Sequence, residues 1–351
     1  MKKIDLFLML CLFLISCSER ASNNLIEIKD FADSFPKERV CELSNNPRLL
    51  GELDSFHFVD EEGFIVSAVQ PPTVILFNKN GEQLRSIGRQ GRGQFEYLAP
   101  SLARSYDDLI YVWCSNLLKL MVFTKLGEAV NEYHFSRAIK DFAIHNNMMF
   151  IYKSDDPSDQ HIVSVYDLDS EQFLPYAFGH RTNEHDILNF SFCSGALLID
   201  DDHLYFAPAD RTKLYQVGLT DLSVSEFMVD APGFETEVVR QPLKEFMEDV
   251  FTSVNYLFGS DIVTGLYKAS GRIMLMAETG EIEIQGLDIT DYSNRRILLY
   301  VFDHEKELNH ALRAEPLTGS TSCLYASVGG KIYMLRLAED LVSWSLFALD
   351  I

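Results

Sequence analysis

A short pattern of apolar and polar positions recurs six times along the chain. In each copy an apolar strand is followed by a turn rich in Asp, Asn or Gly and then by a second strand of apolar and aromatic residues, as in a β-hairpin. The six turns fall at Gly63, Asp108, Asn147, Asp202, Gly271 and Gly330. Consecutive turns are therefore 45, 39, 55, 69 and 59 residues apart. Six units of this size do not fit a two-sheet sandwich and favour a repeat architecture.

Five of the six hairpins are followed by a second one. The clearest consists of residues 73–77, a turn that contains Asn80-Gly81, and residues 83–87, and Asn-Gly is a strong tight-turn signal. Two successive hairpins make a four-stranded antiparallel meander, which is the blade of a β-propeller. The pattern therefore predicts an all-β fold, a single six-bladed β-propeller of four-stranded antiparallel blades over residues 38–351.

The two ends of the chain are predicted to share the last blade. The sixth unit has only three strands, at 323–326, 332–335 and 342–348, whereas a spare apolar strand, 39–43, precedes the first unit. If this N-terminal strand closes the last blade, the ring leaves no long strand edge open. The longest spacing between turns contains apolar residues at helical intervals, which predicts one helical insertion around 234–251.

The N-terminus has the features of an export signal. Two lysines precede an apolar run, 6–16, that is too short to span a membrane but fits a signal peptide. The run ends in Leu14-Ile15-Ser16-Cys17, which resembles the lipobox of bacterial lipoproteins. That resemblance implies a lipoprotein signal peptide, 1–16, lipidation at Cys17, and a lipidated tether, 17–37, that anchors the protein to the outer membrane of a bacterial cell envelope. The alternative is an ordinary signal peptide, and the periplasmic or surface face stays open.

A second resemblance begins in the first predicted blade. A hydrophobic strand, the turn Asn78-Lys79-Asn80-Gly81 and a second strand lead into Gly91-Arg92-Gly93 and then Glu96-Tyr97. This stretch resembles the signature of six-bladed β-propeller lipoproteins of Bacteroidetes, which are similar to NHL-repeat and TolB-like propellers. In that signature Pro-Gly stands where this chain has Gln94-Phe95. The resemblance implies an envelope-anchored propeller and brings no general catalytic motif, because one fold hosts many functions.

The amino-acid composition limits the classes of partner that the protein is expected to bind. With 52 acidic and 30 basic residues the formal charge is −22, and a field of this sign repels nucleic acid. Hydrophobic residues make up 47% of the chain, enough for a large core. The four cysteines beyond the anchor lack zinc-site spacing and are expected to be buried free thiols: Cys41, Cys114, Cys193 and Cys323.

The Gly-rich stretch 88–97 is the candidate ligand-binding site. Glycines let backbone amides approach an anion, and arginine can fork onto a carboxylate or phosphate. The candidate residues are Arg89, Arg92, Glu96 and Tyr97. The competing interpretation is a tight connection between blades in which an arginine pairs with Glu96. No Gly-Lys-Ser/Thr follows, so a nucleotide-binding P-loop is excluded. Tyr97 and Tyr106 are also candidates for stacking on a sugar.

Two acidic and histidine-rich segments are weak metal candidates. His180 to Asp186 gathers four possible ligands but matches no helical or EF-hand spacing, so a solvated polar loop is expected. Asp200-Asp201-Asp202-His203 occupies the slot of a hairpin turn and is expected to be one. We therefore expect no metal and no cofactor, and the sequence contains no familiar nucleophile motif, so no catalytic residue is assigned.

Two functions remain open. The first is a non-catalytic, lipid-anchored, monomeric module that binds or scaffolds an envelope protein or glycan at a face of the disc. The alternative is a propeller enzyme, a glycan lyase or hydrolase, with its site at the mouth of the central channel. The enzyme would need two facing carboxylates or a His/Tyr pair with perturbed pKa values at that mouth.

Overall fold

The structure is a computed structural model in which the following residues are described: 28–31, 37–43, 53–153, 160–191, 196–228, 231–236, 238–239, 243–280, 296–303, 305–314, 323–337, 343–349 and 351. Two strands precede the first blade, β1 (Ile28–Phe31) and β2 (Lys37–Glu42). The predicted signal peptide and Cys17 lie outside the described residues.

The first three blades are antiparallel meanders, and β7 with β8 forms a small parallel ladder between the first two. Their strands are, in blade 1, β3 (Ser55–Asp60), β4 (Gly63–Ala68), β5 (Thr73–Asn78) and β6 (Gln83–Ser86); then β7 (Arg89–Gln90) and β8 (Glu96–Tyr97); in blade 2, β9 (Pro100–Tyr106), β10 (Leu109–Cys114), β11 (Lys119–Thr124) and β12 (Ala129–His134); and in blade 3, β13 (Ile139–His145), β14 (Met148–Lys153), β15 (His161–Asp167) and β16 (Gln172–His180).

The remaining blades complete the predicted six. Their strands are, in blade 4, β17 (Leu197–Asp200), β18 (His203–Phe206), β19 (Lys213–Gly218) and β20 (Val224–Met228); in blade 5, β21 (Ile262–Ala269), β22 (Arg272–Glu278), β23 (Ile297–Phe302) and β24 (Leu308–Ala314); and in blade 6, β25 (Cys323–Val328), β26 (Lys331–Leu337) and β27 (Trp344–Leu349). The first strand of each blade contacts the first strand of the next, and β25 contacts β3, so the blades form a closed ring around a channel.

The N-terminal strand closes the last blade as predicted. β2 pairs antiparallel with β27, with Cys41 opposite Leu346. One strand was not predicted: β1, which falls within the range 17–37, lies parallel to β24 at the outer edge of blade 5, with Ile28 opposite Ala311. The described residues thus attach the N-terminal part of the chain to two neighbouring blades.

The hairpin turns follow the predicted pattern. Asp107 and Asp108 have φ of 47° and 64°, and Asn146 and Asn147 have φ of 47° and 60°. Asp and Asn tolerate this left-handed region because their short polar side chains bond locally, and two-residue hairpins require it. These turns lie at one end of every blade. The connections between successive blades leave from the other end, which we call the crossover face.

Apolar side chains fill the spaces between blades. Phe64 and Phe77 of blade 1 stack with ring centroids 5.5 Å apart and share a buried cluster with Trp344 and Leu346 of blade 6. Such a cluster joins the first and last blades through contacts distant in sequence. Burial of this apolar surface therefore stabilises the closure of the ring as well as each sheet.

Three helices lie on the crossover face: α1 (Asn183–Ser191), α2 (Leu243–Glu248) and α3 (Val250–Gly259). The helical insertion predicted around 234–251 is present, but its helices start later, at Leu243, and end later, at Gly259. The prediction of a polar loop at His180 to Asp186 is wrong, because the second half of this segment forms the start of α1. Thr182 caps the N-terminus of this helix, since its Oγ1 accepts a hydrogen bond from the His185 N–H at 3.1 Å. No helix among the described residues is long and apolar enough to cross a membrane.

Candidate functional site

The predicted candidate loop is braced by Glu96. Its carboxylate accepts hydrogen bonds from Arg89 Nε at 2.8 Å and from the Gly93 N–H at 2.7 Å. The Gly93 N–H and the Arg89 guanidinium hold the pKa of Glu96 below its usual range. Arg89, whose side chain is 79% exposed, and Arg92 both remain at the surface. The structure thus brings Arg89 and Glu96 together as a crossover brace.

Two residues that sequence reasoning missed fix this loop to blade 2. Glu132 Oε2 accepts from the Phe95 N–H at 2.6 Å, and Lys119 Nζ donates to Gly93 O at 2.8 Å and to Glu132 at 3.0 Å. Burial would raise the pKa of Glu132, but the bonds from Phe95 and Lys119 outweigh it and lower the pKa. Phe95 has φ +56°, the left-handed conformation open to the glycine of the related signature. Phe95 thus adopts a backbone conformation that glycine takes up most readily.

The two tyrosines proposed to stack on sugars are not available for stacking in this conformation. Tyr97 is 2% exposed and its hydroxyl donates to Ile87 O at 3.1 Å, and burial raises its pKa to about 12. Tyr106 faces inwards and donates to Phe142 O at 3.0 Å. Tyr97 is therefore a core residue, and Tyr106 is part of the channel wall.

The central channel holds a cavity of about 130 Å³ lined by the first strand of all six blades. Its polar lining includes His57, Arg104, Asp141 and Tyr267. Pockets that bury a small-molecule ligand typically enclose about 300–1,000 Å³. The channel is therefore too narrow to admit a polysaccharide in this conformation.

A His/Tyr pair lies in the channel wall. The rings of His57 and Tyr106 are 5.9 Å apart, and His57 Nδ1 accepts a hydrogen bond from the Ser105 N–H at 3.3 Å. Burial, with a contribution from the nearby Arg104 charge, lowers the pKa of His57 to about 3, so the ring is neutral at pH 7. Burial raises the pKa of Tyr106. Both side chains are engaged with backbone groups, which favours a structural role.

One carboxylate, Asp141, occurs among the described residues that line the channel. Arg104 Nη2 pairs with Asp141 Oδ1 at 2.9 Å, and both side chains are nearly buried. Burial raises the pKa of Asp141, and the Arg104 charge offsets only part of that effect. The described lining therefore lacks the two facing carboxylates of a glycosidase.

The segment predicted as a weak metal candidate forms an ion-paired cap on the crossover face. Arg181 Nε donates to Asp186 at 2.6 Å, and Thr182 Oγ1 donates to Asp210 at 2.6 Å. His185 is buried, and its Nδ1 accepts from the Ala209 N–H at 3.0 Å. Burial lowers the pKa of His185 to about 3. No group of three or more metal-ligating side chains occurs in the described residues.

The second segment, Asp200 to His203, contains the predicted hairpin turn between β17 and β18. Lys268 on β21 forms an ion pair with Asp200, which links blade 4 to blade 5. The acidic turn is thus neutralised in part by a neighbouring blade.

A larger cavity, about 690 Å³, lies off the axis beside blade 3. It is lined by the connection between β12 and β13 and by residues of β14, β15 and β16. We call it the blade 3 groove. Arg137, Lys153 and His161 line it together with Phe173 and Tyr176. Sequence reasoning missed it because these residues are far apart in the chain and the aromatic residues resemble strand core positions.

The groove has a fixed aromatic wall. Phe135 packs on Trp113 at 5.7 Å and on Tyr166 at 4.9 Å, and Tyr166 packs on Phe173 at 5.1 Å between ring centroids. Phe173 itself is 54% exposed. A ladder of rings therefore runs from the core of blade 2 to a surface ring and holds that ring in place.

Comparisons with known proteins agree with this architecture. The model of a protein family described as 6-bladed beta-propeller (DUF5128) matches residues 43–229, more than half of the 351-residue chain. The fold is similar to that of a Bacteroides fragilis protein described as exported, at 12% identity and a TM-score of 0.68, with 93% of this chain and 99% of that chain covered.

A DUF4221 family member from Bacteroides vulgatus is also similar, at 9% identity and a TM-score of 0.65, with 91% of this chain and 99% of that chain covered. Identities this low show a shared fold alone. No curated protein matches the chain.

Proposed function

The chain belongs to the six-bladed β-propeller family DUF5128, and we propose that it is a non-catalytic binding module of the bacterial cell envelope. The module holds a protein or glycan partner at the rim or crossover face of the disc. It works as a monomer, because the ring is closed by its own N-terminal strand, β2. Its charge of −22 disfavours nucleic acid as a partner.

The observation that carries this proposal is the contrast between the two cavities. The channel measures about 130 Å³, and its His57, Tyr106, Arg104 and Asp141 are engaged with neighbouring groups. The blade 3 groove measures about 690 Å³, within the range of ligand sites, and its described lining includes the exposed aromatic rings of Phe173 and Tyr176. Space and exposed chemistry therefore occur together at the groove and not on the axis.

Anchoring at Cys17 is part of the proposal. The export-signal pattern supports it, and the exported relative from Bacteroides fragilis agrees with passage across a membrane. Among the described residues, Ile28 is the first that pairs with a blade, and it lies 11 residues after Cys17. A fully extended segment of that length spans at most about 40 Å. The propeller would then stay close to the outer membrane and meet partners in that layer.

The alternative is a glycan lyase or hydrolase that acts at the channel mouth. The His57–Tyr106 pair is the observation that favours it, since the pKa values of both are shifted. For catalysis, one of these side chains would have to leave its backbone partner and reach a substrate. The channel would also have to widen.

One experiment separates the two functions. The full-length protein, extracted in mild detergent, is incubated with acidic and neutral envelope polysaccharides, and both retention and polysaccharide chain length are measured by size-exclusion chromatography. The proposal predicts retention with unchanged chain length. Shortening of the polysaccharide that disappears in the His57→Asn variant would establish the enzyme instead.

A further inference from the structure

We propose that the outer edge of β20, in blade 4, binds an extended segment of a partner protein in which apolar and basic residues alternate. The segment adds a fifth strand to the four-stranded sheet of this blade. β20 contributes no residue to the described lining of the blade 3 groove. The inference therefore goes beyond the proposed function, and it can fail while the groove still binds its ligand.

The outer edges of the other blades are protected against such pairing. In blades 1, 2, 3 and 6 the ladder of the outermost strand contains a register shift, at β6, β12, β16 and β2. In blade 5 the edge of β24 is covered by β1. Bulges and covering segments of this kind keep sheet edges from pairing with other chains. Among the outermost strands whose side chains the structure describes, β20 alone keeps a regular register along its whole length.

The register of β20 directs a row of backbone groups outwards. The Gly218 N–H donates to Ser223 O at 2.9 Å, at the start of the ladder between β19 and β20. Because bonded and non-bonded pairs alternate in an antiparallel ladder, Ser225 and Phe227 bond to β19. The other three residues of β20 have backbone N–H and C=O groups that point away from β19: Val224, Glu226 and Met228. In the described part of the chain, no strand besides β19 pairs with β20.

The neighbouring blade shows that a further strand fits at the rim. β1 lies outside β24, so the sheet of blade 5 has five strands. Blade 4 is built from the same meander, with β20 in the position that β24 occupies in blade 5. An added strand at β20 therefore repeats an arrangement that the propeller already contains.

The exposed side chains of β20 determine the chemistry of the added strand. Val224, Glu226 and Met228 share one face, because alternate residues of a strand point the same way. Val224 is 45% exposed and Met228 is 70% exposed. Between them, the Glu226 side chain is 53% exposed although it pairs with Lys213 at 2.5 Å. Apolar pairs and pairs of opposite charge across strands stabilise a sheet, so the best partner has a basic residue flanked by apolar ones. The charge of −22 attracts such a strand.

A second copy of this chain is the competing occupant. Antiparallel self-pairing of β20 that uses all five of its residues places Glu226 opposite Glu226 of the second copy. Like charges directly opposite each other destabilise a sheet. The structure therefore favours a basic strand from a different protein over a dimer.

The probe is a nine-residue peptide in which valine and lysine alternate, with a fluorophore at one end. Its control has the same composition with the lysines grouped together. Binding to the full-length protein in mild detergent is measured by fluorescence anisotropy at physiological salt. Glu226→Pro removes an outward N–H without removing a bond to β19, and Glu226→Gln removes the charge alone. Val130→Pro, on the irregular edge strand β12, and Glu128→Gln, in the turn before it, are the matched controls. Thermal unfolding checks that each variant folds.

We expect the alternating peptide to bind, and the grouped peptide to bind about tenfold more weakly. Glu226→Pro should weaken binding of the alternating peptide by about tenfold or more. Glu226→Gln should weaken it by about threefold, since an exposed ion pair contributes little. Both controls should bind like the wild type. Hydrogen exchange in residues 224–228 should slow when the alternating peptide is bound.

The inference is overturned if the alternating peptide does not bind, if both peptides bind equally, or if Glu226→Pro binds as tightly as the wild type. A protein that elutes as a dimer in size-exclusion chromatography, and as a monomer after Glu226→Pro, would assign the edge to a second copy instead. Retention of polysaccharide is measured without this peptide, so it tests the proposed function separately.

Discussion

Arg104 on β9 and Asp141 on β13 form an ion pair, Nη2 to Oδ1 2.9 Å, that joins blade 2 to blade 3 in the wall of the central channel. Asp141 Oδ1 also accepts the Phe142 N–H at 2.8 Å. Because both side chains are nearly buried, each charge depends on the other for compensation. The pair therefore fixes two neighbouring blades at the point where a channel site would otherwise form.

Removing one partner of this ion pair should lower the free energy of unfolding more than removing both partners. Arg104→Met leaves the Asp141 carboxylate buried without its cation, and we expect the free energy of unfolding to fall by about 3–5 kcal/mol. In the double variant Arg104→Met/Asp141→Asn no charge is left buried, and most of that loss should be recovered. Urea unfolding of the three proteins measures this, and a double variant as unstable as Arg104→Met would contradict the ion-pair account.

The buried histidines should make the fold acid-sensitive. His57 and His185 have folded-state pKa values of about 3, well below the ordinary histidine value. As the pH falls below about 6.5, the unfolded chain binds protons that the folded protein cannot, so stability falls by about 1.4 kcal/mol per pH unit for each histidine until about pH 3.

His57→Asn tests this effect, because the Asn amide oxygen can replace Nδ1 as the acceptor for Ser105. The slope of unfolding free energy between pH 6 and pH 4 should be shallower than in the wild type by about 1.4 kcal/mol per pH unit. His134→Asn is the control, since the side chain of His134 is 70% exposed. An unchanged slope in His57→Asn would show that this ring titrates normally.

Glu96 should keep the Gly-rich loop closed at acidic pH. Since its pKa lies below the usual carboxyl range, its contribution is present above that range and is lost only as the pH falls through the lowered value. Hydrogen exchange of the Gly93 amide should therefore stay slow at the pH where ordinary glutamates titrate, and be fast in Glu96→Gln. Glu82→Gln, in the first blade's hairpin turn, should leave Gly93 unchanged. Equal Gly93 exchange in Glu96→Gln and wild type would remove Glu96 from this role.

Locking β2 to β27 should stabilise the whole ring. Glu38 and Ala348 lie opposite each other in this ladder, and cysteines at both positions should form a disulfide between the two ends of the propeller. We expect the oxidised protein to gain about 2–4 kcal/mol over its reduced form. The Glu38→Cys single variant should respond to neither oxidation nor reduction. If the double variant forms the disulfide without any gain in stability, closure by β2 is not what holds the last blade.

The blades could be predicted because their determinants are local. The alternation of apolar and polar residues defines a strand within a few positions, and the turn residues act equally locally. Four of these turn residues adopt the left-handed conformation that a two-residue hairpin turn requires: Asp107, Asp108, Asn146 and Asn147. The closing strand could be predicted by counting strands, because the sixth unit has only three and a spare strand precedes the first unit. The helix α1 was not predicted, because contacts between residues distant in sequence support it. One of these contacts is the hydrogen bond that Asn189 Nδ2 donates to Lys153 O.

The candidate sites were also harder to predict, because they depend on contacts between residues that are distant in sequence. Tyr97 follows a Gly-rich loop, a position typical of ligand-stacking residues. It nevertheless packs close to Gly88, where a Cβ would come within 2.9 Å of its ring. The blade 3 groove joins Arg137, Lys153 and Phe173 from three separate segments. No local pattern distinguishes Phe173 from an inward-facing strand residue, and only the folded structure, in which its side chain is 54% exposed, shows that it faces outwards.

The location of the ligand is the most direct test of the account. An envelope polysaccharide that the full-length protein retains is labelled with a photoreactive diazirine and cross-linked to the protein, and the labelled peptides are identified by mass spectrometry. We expect cross-links within 135–139 and 173–177, two segments that are far apart in the sequence and both line the groove. Cross-links concentrated at the channel residues His57, Arg104 and Asp141, or in the loop 88–97, would contradict it.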